Sequence, residues 1–145
     1  SGHYDLNDFI RINSSISIGE YLFDEFEKNQ ENYSGNSIPG IPNNIFIFDV
    51  SYKRSSNLFI NVSLKKIGEM YANNSNSVKI DNYNLVNLKI GKEIYFKKIV
   101  LKPFFTINNL FGVNYYDNIR INAFGGRYYE PAPKTTFFGG IKIAF

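Results

Sequence analysis

Cysteine is absent from the 145 residues, which excludes a disulfide framework, a thiolate metal site and a cysteine nucleophile. Tryptophan is absent as well, and His3 is the only histidine. A Ser-His-Asp relay or a histidine-rich metal centre therefore has too little to build on, and His3 itself lies in a polar stretch expected to be a solvated tail. No run approaches the ~18 to 20 consecutive apolar residues of a membrane helix, and the first residues lack the apolar segment of a signal peptide. If a membrane is met, strands must meet it. An excess of one charge sign is also missing: 16 Lys and Arg against 13 Asp and Glu give +3, too small an imbalance to point to a nucleic-acid partner.

What is abundant is Phe and Tyr, at 14 and 11 residues, set among Ile and Asn, a mixture that favours strands joined by polar turns. The length suits one folding unit or a piece of one. Period-two alternation recurs six times. Ile10, Ile12, Ile16 and Ile18 oppose Arg11, Asn13, Ser15 and Ser17, and Phe46, Phe48, Val50 and Tyr52 oppose Ile47, Asp49, Ser51 and Lys53. Leu58, Ile60, Val62 and Leu64 oppose Asn61, Ser63 and Lys65, and Val86, Leu88 and Ile90 oppose Asn87, Lys89 and Gly91. A fifth segment runs from Leu101 to Asn108, weakened by Pro103, which cannot donate to a ladder, and the sixth from Phe137 to Phe145. The connections alternate. Long polar stretches cover roughly Lys28–Asn44, Tyr71–Asn82 and Leu110–Lys134, and short ones cover Arg54–Asn57 and Lys92–Lys97. An antiparallel meander with this rhythm carries its long loops at one end and its tight turns at the other.

Alternation alone does not say which solvent the apolar face touches. In a soluble sandwich or small barrel binding an apolar ligand it points inward; in a membrane barrel it meets lipid and the polar face lines the lumen. Three features favour the membrane. The polar faces are rich in Asn, Ser, Thr and Gly where a soluble surface carries a dense mixed-charge coat. Aromatics gather near strand ends, as at Tyr21, Phe23, Tyr52, Tyr71, Tyr83, Tyr95 and Phe96, where interfacial girdles belong. Long loops at one end and short turns at the other complete the pattern. An open six-stranded sheet in lipid would leave two rows of backbone groups unsatisfied, and eight strands is the usual minimum for closure. The chain is thus expected to be a fragment, or to be completed by strands that it does not contain.

The last third is more specific. Asn108-Asn109-Leu110-Phe111-Gly112-Val113-Asn114-Tyr115-Tyr116 resembles the "NNLFD..Y" signature near the end of TonB-dependent outer-membrane receptors. Arg127-Tyr128-Tyr129-Glu130-Pro131-Ala132-Pro133, with Phe137-Phe138-Gly139-Gly140 and a terminal Phe145, resembles their "RYYEPAPGR.FY.G" ending, with Lys134-Thr135 in place of Gly-Arg. Ile38-Pro39-Gly40-Ile41-Pro42-Asn43-Asn44 is similar to their "LPGVPKH" loop, and Tyr71 through Tyr83 to Leu88 to the "YVDD.N....YTLLNLRIGY" run. The resemblance spans nearly all of residues 1–145, without the plug domain, the TonB box and most of the strands.

It implies an all-β, antiparallel, up-and-down transmembrane barrel segment, the last six or so strands of a 22-stranded barrel. It further implies a place in the bacterial outer membrane and energy-coupled uptake of a scarce nutrient such as a ferric siderophore, with TonB acting through the plug. A passive outer-membrane pore would share the wall without that coupling. The tight turns and Phe145 would be periplasmic and the long loops extracellular. Phe137, Ile141, Ile143 and Phe145 would form the signal read by the barrel-assembly machinery. On the last outer loop, Arg127, Tyr128 and Tyr129 are candidate ligand contacts, since guanidinium and phenol groups suit an anionic chelate; because they belong to an ending shared across many ligands, a role in loop architecture is favoured. No catalytic residue, cofactor or metal site is expected: the Asp24, Glu25 and Glu27 carboxylates have no partner base. Asn73, Asn74, Ser75, Asn76 and Asp81 lack a calcium-loop order and are expected to form a flexible loop.

Overall fold

A computed structural model describes residues 1–54 and 57–145. Strands β1 (Gly2–Asn7) and β2 (Ile10–Ile18) form a hairpin, and the loop after β2 carries the short ladder of β3 (Glu27–Lys28) with β4 (Glu31–Asn32). Strands β5 (Asn44–Lys53) and β6 (Leu58–Ile67) follow, then a loop with the ladder of β7 (Met70–Tyr71) and β8 (Lys79–Ile80). Next come β9 (Tyr83–Lys92), β10 (Ile94–Phe96) and β11 (Ile99–Asn108). A loop containing β12 (Tyr116–Ile119) and β13 (Tyr129–Pro131) leads to β14 (Thr136–Ala144).

The large strands make one antiparallel sheet in which β10 continues the line of β9, so neighbours in space are neighbours in sequence: β1, β2, β5, β6, β9 with β10, β11, β14. It is an open, all-β wall that does not close into a barrel. All six expected strands are present, and two more join them. The stretch expected as a solvated tail is β1, in which His3 sits opposite Asn13 and Tyr4 opposite Ile12. Its hairpin turn is set by Asn7, whose side-chain oxygen accepts the backbone N–H groups of Phe9 and Ile10 at 2.9 Å each, the local turn chemistry that Asn provides. The connection placed at Lys92–Lys97 also differs: the chain stays extended through β10 and reverses at Lys97, whose φ is 52°. Ser55 and Ser56 of the expected turn after β5 lie outside the described residues.

Pro103 is accommodated because its side of β11 faces the break between β9 and β10. Pairing with β10 ends at Leu101, pairing with β9 begins at Phe104, and on the other edge Pro103 lies opposite Ile141. A missing donor is harmless where the ladder is already interrupted.

Register fixes the two faces. Ile12, Val50, Val62 and Leu88 lie side by side across β2, β5, β6 and β9, and Ile60, Ile90, Phe105 and Gly139 across β6, β9, β11 and β14. The opposite face presents Arg11, Ser51, Asn61, Lys89 and Thr106 in one row. No second layer covers the apolar face among the described residues: Phe137 is 66%, Ile141 67% and Ile143 58% exposed. Ile60, Leu88 and Ile143 belong to this open sheet face, and not to the interior of a closed globule.

The buried core lies elsewhere. Ile67, Met70, Ala72 and Ile80 cluster at the loop end, with Ile45, Tyr83, Tyr116, Ile119 and Tyr128 packed against them. Ile45, Ile67 and Tyr83 come from the otherwise polar face, where they sit beside one another in register. That face turns apolar at its loop end, and the loops fold over it.

Candidate functional site

Side-chain amides tie the three long loops into one cap. Asn36 donates to the Asn74 carbonyl at 2.8 Å, and Asn76 exchanges bonds with Ser37, accepting its N–H at 2.7 Å and donating to its carbonyl at 2.9 Å. Asn122 accepts the Asn74 N–H at 2.9 Å and donates to that residue's side-chain oxygen at 2.9 Å, while its own N–H reaches the Ala72 carbonyl. Asn76 and Asn122 have φ of 54° and 55°, a left-handed backbone that Asn tolerates better than other side-chain-bearing residues. The stretch Asn73–Asn76, expected as a flexible loop, is thus cross-braced: Asn74 and Asn76 are engaged by neighbouring loops, and the Asn73 amide bonds Ser75 and Ser77 within its own.

The chain leaves β11 for the last long loop through Asn109, a polar residue only 3% exposed. Its amide donates to the Val113 carbonyl at 2.8 Å and accepts the Val113 N–H at 2.9 Å, closing a tight turn. Its own N–H donates to the Asn87 side-chain oxygen at 2.9 Å, and its carbonyl accepts from the Thr135 hydroxyl at 2.9 Å. The Asn-Asn-Leu-Phe-Gly run is therefore an exit hinge, fixed to β9 on one side and to the start of β14 on the other.

Within the cap a cavity of about 480 Å³ is lined by Lys79, Asp81, Tyr83, Tyr115, Tyr116 and Tyr129, with small polar and proline neighbours. Tyr116 stacks on Tyr129 with centroids 4.3 Å apart, and Tyr83 tilts against Tyr115 at 5.4 Å. Loss of water around Tyr129, and then the nearby Tyr116, push its phenol above the ordinary value. Lys79 is held by Glu69 at 2.6 Å, which raises its pKa. Four phenols with one ammonium and one carboxylate suit a flat ligand rich in oxygen acceptors.

The sequence candidates on this loop are dispersed. Tyr129 lines the cavity, Tyr128 packs against the loop-end core and Arg127 is exposed beside the short 3-10 turn Phe124–Gly126. Glu130 pairs with Arg120 and accepts from Asn118, and both partners lower its pKa. Tyr83, Tyr115, Tyr116 and Lys79 were not candidates in the sequence. The adjacent tyrosines at 115 and 116 were visible there, but their convergence with Tyr83 depends on the loop folding back. Among the described residues no group of three or more His, Cys, Asp or Glu is placed to hold a metal ion.

At the tight-turn end, Glu93 sits in the break between β9 and β10, accepting from Lys102 at 2.7 Å, Tyr95 at 2.9 Å and Lys53 at 3.4 Å. These donors, Lys102 first, hold its carboxyl down at about 2. Glu93 follows the last of the ten residues of β9, a strand length that in a bilayer would leave its carboxylate outside the hydrocarbon core.

No family model matches the sequence. Among solved structures, the unliganded ferric citrate transporter FecA superimposes with a TM-score of 0.82 at 19% identity, over 98% of this chain and 23% of its own length. The siderophore receptor PiuA from Acinetobacter baumannii gives 0.78 at 14% identity, over 96% of this chain and 20% of its own. This is the barrel-wall fold of TonB-dependent siderophore receptors. The ferric yersiniabactin uptake receptor FyuA from Yersinia pestis gives 0.73 at 12% identity, over 99% of this chain and 22% of its own. The chain spans about a fifth of the length of the receptors that share this wall fold, and these neighbours are transporters and receptors, not enzymes.

Proposed function

We propose that residues 1–145 form the carboxyl-terminal wall and three outer loops of a TonB-dependent receptor that imports a scarce nutrient such as a ferric siderophore across the bacterial outer membrane. The observation that carries this reading is a continuous, uncovered apolar face on a seven-stave meander whose long loops all gather at one end. An apolar sheet face of this extent in water would be an aggregation surface; facing lipid it is the ordinary exterior of a barrel. The fold shared with siderophore receptors supports the same reading.

In this reading the tight turns and Phe145 face the periplasm, and the loop cap faces outside. The outward groove of Ile16, Ile18, Phe46, Leu64, Val86 and Phe111 contacts lipid. Phe137, Ile141 and Ile143 form an outward row on the closing strand with Phe145 just beyond it, a display suited to the barrel-assembly machinery. Of the candidate ligand contacts, Tyr129 is the one whose cavity can take an oxygen-rich chelate; Tyr128 and Arg127 support the loop. TonB acts through a plug held by the complete receptor.

The test is growth and uptake by cells that carry the complete receptor as their sole route for a ferric siderophore. Uptake that requires both TonB and the receptor is expected, with Tyr129→Ala weakening ligand binding and leaving barrel assembly intact. Uptake that persists without TonB would favour a passive pore.

A further inference from the structure

The tyrosine cavity of the cap has a charge as well as a shape. Among the described residues, Lys79 supplies the only ammonium of its lining and Asp81 the only carboxylate. The two are not equivalent. Lys79 is already engaged by Glu69 at 2.6 Å, whereas Asp81 is exposed and takes part in no ion pair among the described residues. Its field reaches both sides of the cavity: Glu69 first, with Asp81 adding to it, raises the pKa of Lys79, and loss of water first, with Asp81 adding to it, raises that of Tyr129. The arginines of the last loop do not offset it. Arg120 donates to Glu130 at 2.6 Å, and Arg127 lies off the cavity lining. With Lys79 cancelled by Glu69, the charge facing an occupant is the negative one of Asp81.

Two aromatic pairs stand around that charge, Tyr116 with Tyr129 and Tyr83 with Tyr115. The faces of phenol rings attract cations, and a carboxylate beside them adds to the attraction. Phenol hydroxyls still donate to neutral acceptor oxygens. An iron complex with surplus carboxylates would instead meet ring faces and Asp81, with no unengaged cation in the lining to receive it.

We infer that this cavity takes the ammonium-bearing end of a chelate that is neutral or cationic overall, with Asp81 facing the ammonium and the tyrosine rings flanking it, and that it disfavours anionic complexes. The inference rests on the receptor reading above and adds to it the charge class of the imported ligand. It reverses the expectation attached to Arg127, whose guanidinium suited an anionic chelate.

The experiment uses the complete receptor in phospholipid vesicles and equilibrium dialysis with radioactive iron in three complexes. Ferrioxamine B is a hydroxamate complex with a free ammonium, its N-acetyl derivative has the same iron centre and no net charge, and ferric citrate is anionic. The first should bind about tenfold more tightly than the second, as expected of a cation over phenol rings together with a partly solvated ion pair, and ferric citrate should bind weakest. Asp81→Asn should shrink the tenfold preference to about twofold, the part that the rings alone supply, and Asp81→Glu should retain it, which separates a charge role from a merely structural one. Glu69→Gln, which releases Lys79, should raise the affinity for ferric citrate. Equal affinity for the first two complexes, a preference for ferric citrate, or binding of none of the three by receptor that is folded by its heat-dependent gel mobility would each overturn the inference. The receptor reading is checked separately by iron uptake in cells: TonB-dependent uptake from ferric citrate alone would leave that reading standing and sink the charge preference, whereas uptake without TonB would defeat the reading itself.

Discussion

Replacing Asn109 by Ala tests the claim that the shared sequence run leaving β11 is a hinge and not a ligand contact. The substitution removes both amide bonds to Val113, leaving that residue's N–H and carbonyl in a site where Asn109 was nearly excluded from water. Each lost bond is worth about 1 kcal/mol. A further penalty of about 1 kcal/mol comes from the backbone, since φ at this position is 50° and Ala resists the left-handed region. The expected total is about 3 kcal/mol. Asn109→Gly removes the same bonds without the steric conflict and should fall about 1 kcal/mol short of the Ala effect. Asn108→Ala loses a single exposed 3.3 Å bond to Thr136 and should stay within about 0.5 kcal/mol of the parent. Urea unfolding of the proposed complete receptor in phospholipid vesicles, followed by its heat-dependent gel mobility, measures all three. Equal stabilities for Asn108→Ala and Asn109→Ala would refute the hinge.

Val62→Arg, on the apolar face in the middle of β6, should destabilise the barrel in a bilayer by about 2–4 kcal/mol, with Ile60→Arg nearer the tight turn costing less, whereas Asn61→Arg should be mild; the same vesicle titration decides, and the reverse order would invert the faces. Gly91→Ala should lower stability by about 1–3 kcal/mol, because a Cβ there would come within 2.3 Å of the Phe59 ring and 2.7 Å of the Pro103 carbonyl. Phe59→Ala should not rescue it, since the backbone contact remains. At Gly140 the atoms nearest to a Cβ all belong to the Phe104 ring, the first at 2.9 Å, so Phe104→Leu should relieve Gly140→Ala. Glu93 has a carboxyl held below its unfolded value, so its stabilisation is present above the ordinary carboxylate pKa of 4.5 and is lost as pH falls toward about 2. Glu93→Gln should remove that part of the acid sensitivity between pH 4.5 and 2, as read from vesicle unfolding across the range.

The wall was legible because alternation over about ten residues is forced wherever a strand separates two solvents. Ile10 to Ile18 and Leu58 to Leu64 announce their strands without reference to anything distant. β1 was missed because Tyr4 and Leu6 give only two apolar positions, and the Asn7 turn that secures them is a single residue. β10 was missed because Lys92 and Glu93 read as a turn, although here they mark a break in pairing that the hairpin continues past. The ordering of the loops could not be read from the sequence. An Asn in a polar stretch looks alike whether its amide meets water or the backbone of a loop 38 residues away. The tyrosine cavity was hidden for the same reason: it is made by Tyr83 at the start of β9 and Tyr129 at the start of β13, and nothing local connects them.

The braced cap has a consequence for immune recognition. In the proposed receptor, a synthetic peptide copied from residues 68–82 would lose its partners at Asn36, Ser37 and Asn122, and with them its braced shape. Antibodies elicited by such a peptide should bind the intact receptor poorly, and a useful immunogen would have to present the three outer segments together. Antigenic escape is constrained in the same way, since altering Asn122 unseats its counterpart at Asn74 in a different segment.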